Sequence, residues 1–535
     1  MASTSLEQLT TSYLDLRWHL NPVDASAAGL VAHDGRLGSF TDGEVGEHAA
    51  ALRALAAAIE AFDLDALDDE IDRTALLNEI RFTVHYFTVE RPHQRDPGFW
   101  LSHVLEGLYQ MLAARDRPIT DRAAAAAERL RLVPGFLERA RETLDRCPRV
   151  FIDVARGIGG GGRALIDEVA KHLRPADDET FDAACADARD ALRHFDDALT
   201  TDLTETATDD FAIGADAFNY RLRFQHALQP TATELMRYGR KLVEQVEVEL
   251  ASMAEDIAPG TAWPDLLDRL RGDHPSVEDL VGTYALEMER ARLFVAERDL
   301  AAIPDGALDV IATPPFLQPL IPFAAYQPPG AFSADRTGWF YVSPPDGTGA
   351  EEREQGLRDH CVHEIPSTAL HEGYPGHHLQ FLNAQAQPRT IRRLLSTPVS
   401  VEGWALYCEE MMGEQGFYRS TEEHFLQRVA LLWRAVRVVL DVGLHTGSIG
   451  FDEAVRLLEH HVHFAHGHAL AEVRRYCAEP AYQLAYAVGR RELRALRDDF
   501  QRAAGPDYSL RRFHDAVLAY GGLPVSLMRW GMGLG

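Results

Sequence analysis

Two pairs of potential metal-binding and acid-base residues, His371-Glu372 and His377-His378, lie close together in Thr368-Ala369-Leu370-His371-Glu372-Gly373-Tyr374-Pro375-Gly376-His377-His378-Leu379-Gln380. Neutral imidazoles are zinc ligands, and a glutamate beside one of them is placed to act as a general base. The usual spacing is H-E-x-x-H, in which histidines at i and i+4 share a helix face. Here two further residues separate the pairs. In an unbroken helix His378 would lie about 10 Å along the axis from His371. That is too far for two nitrogens each about 2.0–2.1 Å from one metal. The chain must therefore deform between them. Pro375 lacks an amide hydrogen and its ring clashes with the carbonyl four residues back. Gly376 tolerates the dihedrals that follow. A bulge at Tyr374-Pro375-Gly376 in one interrupted helix over 367–385 returns either His377 or His378 to the face of His371.

A catalytic zinc site needs a third protein ligand and an open position. The best carboxylate is Glu402, in Pro398-Val399-Ser400-Val401-Glu402-Gly403-Trp404-Ala405-Leu406-Tyr407-Cys408-Glu409-Glu410. Ser400 as N-cap, after Pro398, would set Glu402 in the first turn of a new helix. Glu409 is seven residues on and lies on nearly the same face, where it can accept the second N–H of a ligand imidazole. Glu410 reads as part of a solvated face.

The elements that position these residues are mostly helical. Helical periodicity marks 43–62, 65–89, 120–146, 231–256, 276–299, 422–444, 451–470 and 482–503. Pro314, Pro315, Pro319, Pro322, Pro328 and Pro329 break any helix in 303–349. Thr337–Ser343 is aromatic and β-branched, a strand signal. Gly157-Ile158-Gly159-Gly160-Gly161-Gly162-Arg163 lacks the Lys-Ser/Thr ending and the preceding strand of a phosphate loop and reads as a turn between helices. His460, His461, His463, His466 and His468 read as a polar helix face. A chain of 535 residues exceeds what one core supports, so two lobes sharing a cleft are expected. The expected division is a helical lobe over 1–300, Pro-rich loops with a small β element over 301–350, and a helical catalytic lobe over 351–535.

A net charge of −29 argues against nucleic acid as a partner. No run reaches the roughly 18 apolar residues of a membrane span. Met1–Glu7 has neither a basic nor an apolar region of the kind that directs secretion. The five cysteines are scattered, with no C-x-x-C pair. A cytoplasmic protein with reduced thiols is expected.

The motifs His371–His378, Glu402-Gly403-Trp404-Ala405-Leu406-Tyr407, Arg475-Tyr476, Pro480 and Tyr486-x-x-Gly489 together resemble the bacterial family called domain of unknown function 885. Asn21-Pro22, Asp69–Arg73, Gly338–Val342 and Arg437–His445 fit the same pattern. That family is similar in fold to the Taq-type zinc carboxypeptidases, and more distantly to angiotensin-converting enzyme and the oligopeptidases. The resemblance implies a mainly α fold: a two-lobed helical shell around a deep central cleft, with a small β-sheet lining the active site and one zinc per chain at the floor. It also implies a peptidase-like hydrolase of the carboxypeptidase or dipeptidase kind. Two departures stand near the expected substrate end. Pro480-Ala481-Tyr482 replaces Pro-Gly-Gln, and Ser448-Ile449-Gly450 stands where the family has Gly-Trp.

The expected roles follow. His371, Glu402 and one of His377 and His378 hold zinc. The pattern of related peptidases favours His377, whereas counting back from Leu379-Gln380 favours His378. Glu372 is the general base, and Glu409 stands behind a ligand. Tyr486 is a phenol donor to the developing oxyanion, a role that related peptidases fill from a late helix. Arg475, Arg490 and Arg497 are candidates for a substrate carboxylate, beside Tyr476. The strand carrying Tyr341, taken as an edge, would hold an extended substrate by strand addition. The expected substrate is a peptide or small amide, acted on by a monomer or homodimer. Two alternatives are a metal enzyme acting on a non-peptide amide or natural product, and a non-catalytic binding protein that keeps the cleft.

Overall fold

The computed structural model describes residues 5–64, 66–114, 116–175, 178–314, 317–318, 321, 323–345 and 349–534. Pro315, Pro319 and Pro322 of the Pro-rich stretch lie outside the described residues. Among these residues the fold is mainly α with one small sheet. No helix among the described residues is long and apolar enough to cross a membrane.

The chain divides into two compact units, Met1–Ile213 with short pieces 315–320 and 330–335, and the remainder from Gly214 to Gly535. The sequence division had placed its first boundary at 300. The intervening helices Ala232–Ile257 and Leu280–Glu297 fall in the second unit. The reason is visible in the packing: Ala232–Ile257 lies along Thr421–Thr446. There Gly239 brings its backbone against Val438, since a Cβ at 239 would stand 3.0 Å from that side chain.

The first unit is a stack of helices around a core that includes Phe40, Trp100, Phe136, Phe181 and Phe195. Its Gly-rich stretch 157–163 lies inside the helix Arg149–Leu173, which corrects the expected turn. Of these glycines Gly162 has a packing reason, whereas a Cβ at Gly157 or Gly160 would meet nothing within 4 Å. A Cβ at 162 would come within 3.0 Å of Leu105 and 3.3 Å of Leu192, so its small size sets how closely neighbouring helices approach. Pro134 lies inside the helix Ile119–Thr143.

The second unit holds the candidate site. Its sheet has the order β1 (Leu308–Ala312), β3 (Gly338–Val342), β2 (Ala324–Gln327). β1 pairs in parallel with β3, Leu308 opposite Gly338, and β2 pairs antiparallel, Ala324 opposite Val342. The strand of Tyr341 is therefore central, with both of its sides already hydrogen-bonded. This corrects the expected substrate edge, because a strand paired twice has no free backbone groups to offer. Against the sheet packs a core of Leu280, Tyr284, Met288, Phe340, Val342 and Ile365. The expected helix 451–470 is two helices, Phe451–His461 and His466–Ala478, separated at a turn where His463 has φ 58°.

Candidate metal centre

The stretch read as one interrupted helix is two helices. Ile365–Glu372 ends at Glu372 and His377–Gln385 begins at His377, so the chain breaks completely rather than bulging. Gly373 has φ −99° and ψ −99°, and Gly376 has φ −71° and ψ −132°. A Cβ at Gly376 would stand 1.8 Å from the His371 carbonyl oxygen, so the two helices meet this closely only through glycine. The amide of Gly376 donates to Leu370 O at 3.0 Å, and that of Leu379 to Gly373 O at 3.3 Å. The indole of Trp404 donates to Pro375 O at 2.8 Å, tying this turn to the helix of Glu402.

The break brings the two imidazoles together, their ring centroids 4.8 Å apart and nearly perpendicular. Glu402 Oε2 lies 3.7 Å from His371 Nε2 and 3.3 Å from His377 Nε2. One donor atom from each of the three residues falls within 4.8 Å of the others, and theirs is the one such group among the described residues. Each is buried, with exposures of 6% for His371, 7% for His377 and 8% for Glu402. His378 points elsewhere. It is fully buried, and its Nδ1 is 2.9 Å from the hydroxyl of Tyr326 on β2. Gly338 on β3 makes room for it, because a Cβ there would lie 2.5 Å from His378 Nδ1.

Glu402 rides on the helix Pro398–Glu414, whose N-cap is Thr397, not Ser400. With Pro398 in the first turn the helix starts two residues before Ser400, so Glu402 sits in the second turn, and the Ser400 hydroxyl donates to Leu523 O at 2.7 Å. Glu409, on the same helix, accepts a hydrogen bond from His371 Nδ1 at 2.7 Å, and its other oxygen accepts from Gln427 at 3.4 Å. Glu410 was expected on a solvated face. It is instead enclosed by Arg490, which grips it in a two-pronged pair, and by Arg494.

The electrostatics are those of a site with excess negative charge. Burial alone would lower the His371 pKa, yet hydrogen bonding to Glu402 and Glu409 outweighs it and the imidazole is pushed up to about 10. Burial disfavours the Glu402 anion, but the two imidazoles hold its pKa well below the usual carboxylate range. Glu372, half-buried at the end of its helix, adds a negative charge felt by His371, Tyr284 and Tyr326.

Tyr486 stacks on His371 with ring centroids 6.5 Å apart, and burial followed by the Glu402 charge raises its pKa. Its helix, Ala485–Ala504, crosses the Glu402 helix at a glycine pair. A Cβ on Gly489 would stand 1.9 Å from Val399 O and 2.6 Å from Gly403 Cα. Tyr482 was not anticipated as a site residue. Its hydroxyl donates to Glu402 Oε1 at 2.6 Å. The departure from Pro-Gly-Gln at 480–482 was the one sequence signal that pointed at it.

The remaining candidates are placed as follows. Arg475 pairs with Glu472 and Glu479, Arg490 with Glu410, and Arg497 with Glu414. Each of the three arginines thus has a carboxylate of the chain itself. Tyr476 is fully buried, donating to Glu472 and accepting from Arg437. Tyr341 is buried in β3 between Ile311 and Ala325. In the histidine-rich stretch, His461 bonds Glu247, His466 bonds Glu459, and His468 stacks on Phe464.

Comparison with known proteins gives a consistent fold. One solved structure, described as a putative lipoprotein of unknown function from Shewanella oneidensis, superposes with a TM-score of 0.83. It is 22% identical and the match covers 99% of this chain and 100% of that one. A second, a putative lipoprotein from Colwellia psychrerythraea, superposes with a TM-score of 0.84 at 18% identity, covering 99% of both chains. No curated protein matches. The model of the family described as "Bacterial protein of unknown function (DUF885)" matches residues 22–532, and the chain belongs to that family.

Proposed function

We propose that this protein is a zinc-dependent hydrolase of peptide or peptide-like amide bonds, similar in its chemistry to the zinc carboxypeptidases. The observation that carries this is the convergence of His371 Nε2, His377 Nε2 and one oxygen of Glu402, with Glu409 behind His371 and Glu372 beside it. The donor set fits the metal. Tetrahedral ligands about 2.0–2.1 Å from zinc stand roughly 3.3 Å from one another. Glu402 Oε2 lies 3.7 and 3.3 Å from the two imidazole nitrogens. Surplus carboxylate around two buried imidazoles also favours a cation.

When bound, zinc supplies a Lewis acid that polarises a carbonyl and acidifies water. His371 and His377 present Nε2 to it, and Glu409 fixes the His371 tautomer by accepting the proton of Nδ1. Glu402 supplies the third ligand oxygen. Glu372 takes a proton from the attacking water and returns it to the leaving amine. Tyr486 donates to the oxygen that gains negative charge as the carbonyl is attacked. An extended substrate would lie along β1 or β2, the outer strands of the sheet. A cavity of about 420 Å³ runs beside β1 from Leu308 to Ile311 and reaches Tyr374.

A cytoplasmic placement belongs to the same reading, resting on five unpaired, buried cysteines. The lipoprotein description of the two solved relatives makes cell fractionation the test of it. The hydrolase reading is tested by screening the zinc-loaded protein against free and end-blocked dipeptides and longer peptides. Zinc-dependent cleavage that is lost in Glu372→Gln is expected. No cleavage of any amide by a protein holding stoichiometric zinc would overturn it in favour of binding without catalysis.

A further inference from the structure

We infer that Tyr482 restricts Glu402 to a single metal-facing oxygen, and so sets the coordination number of the proposed zinc site. This rests on the zinc reading above. Glu402 divides its two oxygens between different partners. Oε2 faces His371 and His377, whereas Oε1 accepts the Tyr482 hydroxyl at 2.6 Å. A carboxylate with both oxygens free can chelate a metal through both and occupy the position that water or substrate needs. A phenol on Oε1 removes that option and leaves one coordination position open.

The fold holds Tyr482 unusually firmly for a residue in a turn. Arg221 donates to Pro480 O at 2.9 Å, and a ring nitrogen of His226 lies 3.0 Å from Ala481 O. The two oxygens of Asp441 accept the amides of Ala481 and Leu484, each at 2.9 Å. Ala481 is held at φ 63°, a left-handed conformation that a non-glycine residue adopts only when its surroundings impose it. Asp441 and Ala481 are fully buried and His226 nearly so, at 0%, 0% and 1% exposure. Burying an aspartate is costly unless its oxygens are satisfied, and here they are satisfied by the backbone on either side of Tyr482. The long helix Thr421–Thr446 thereby aims this phenol from Asp441. Tyr482 is on this account a positioning residue, acting through Glu402.

The test uses the full-length protein with Zn²⁺ and Co²⁺ as probes. Tyr482→Phe removes the hydroxyl and keeps the ring that meets Tyr486 edge-on at 6.2 Å. Zinc affinity, measured by competition with a chromophoric chelator, should fall by about 10–100-fold, the range for losing a partner behind a metal ligand. The visible spectrum of the cobalt form should lose intensity, as four-coordinate cobalt becomes five-coordinate. Tyr486→Phe, which leaves the Tyr482–Glu402 bond in place, should keep the wild-type cobalt spectrum. Zinc affinity within twofold of wild type and an unchanged cobalt spectrum in Tyr482→Phe would overturn the inference while leaving the hydrolase proposal standing. Lost affinity with a wild-type cobalt spectrum would also overturn it, reducing Tyr482 to a packing role. Failure of the wild-type protein to take up either metal would overturn both.

Discussion

Gly489→Ala tests whether the crossing of two helices sets the geometry of the candidate site. The added Cβ would lie 1.9 Å from Val399 O and 2.6 Å from Gly403 Cα. Ordinary carbon–carbon contacts are about 3.5–4.0 Å, so the overlap with Gly403 alone is roughly 1 Å. Both obstructing atoms are backbone, and no side chain can rotate to relieve them. The helices Pro398–Glu414 and Ala485–Ala504 must therefore separate by a distance on the order of 1 Å. Glu402 rides on the first and Tyr486 on the second, with Tyr482 just before it. A hydrogen bond of 2.6 Å between Tyr482 and Glu402 would then stretch to the limit of a bond or beyond. Overpacking of this kind costs about 1–3 kcal/mol. The expected result is a lower Tm together with zinc affinity reduced by about 10–100-fold. Gly467→Ala is the control, since a Cβ there meets nothing within 4 Å. Thermal melts and chelator competition on the three proteins decide the matter. A Gly489→Ala variant with wild-type Tm and zinc affinity would show that this crossing does not set the geometry of the candidate site.

Glu372→Gln should abolish turnover yet retain zinc, whereas Glu402→Gln should release the metal; the opposite pattern in elemental analysis and activity assays would reverse the two roles. His377→Ala should lose zinc. His378→Ala should keep it and instead lose stability, because His378 is a fully buried partner of Tyr326; matched zinc titrations and melts separate the two. Burial holds His226 at about 3 and His445 and His514 at about 4, against the ordinary value 6.5. A lowered folded pKa gives stability that is complete above pH 6.5 and lost as the pH falls toward the folded value. Lowering the pH from 7.5 to 5 should cost about 2 kcal/mol for each of these three histidines, read from urea midpoints. Equal or greater stability at pH 5 would contradict this assignment.

The site was legible where chemistry restricts residue type. Two imidazoles, an adjacent glutamate and a later carboxylate on an apolar helix are recognisable without coordinates. So is Pro375-Gly376 as a break between them. The form of the break was not, because it depends on how closely Gly376 approaches the His371 carbonyl. Ser400 looked like a cap, but the helix starts earlier, at Pro398 with Thr397 as N-cap, and Ser400 instead donates to Leu523, 123 residues away. Tyr482 could not be found from periodicity, since its direction is fixed by Asp441, which is remote in sequence and buried under the turn. The central position of β3 was hidden for a related reason. Its neighbours β1 and β2 are short and flank the Pro-rich stretch, where strand signals are weak. Arg490 and Arg497 looked available for a substrate because their partners Glu410 and Glu414 lie on another helix, which spacing along one helix face does not reveal, whereas Glu472 and Glu479 stand at i−3 and i+4 from Arg475 and were legible as its partners.

The most direct test of the central claim is a crystal structure of the zinc-loaded protein with anomalous data collected at the zinc edge. One strong peak per chain is expected, about 2.0–2.1 Å from His371 Nε2, His377 Nε2 and Glu402 Oε2. A peak bound through His378, or none among these three side chains in protein saturated with zinc, would contradict it.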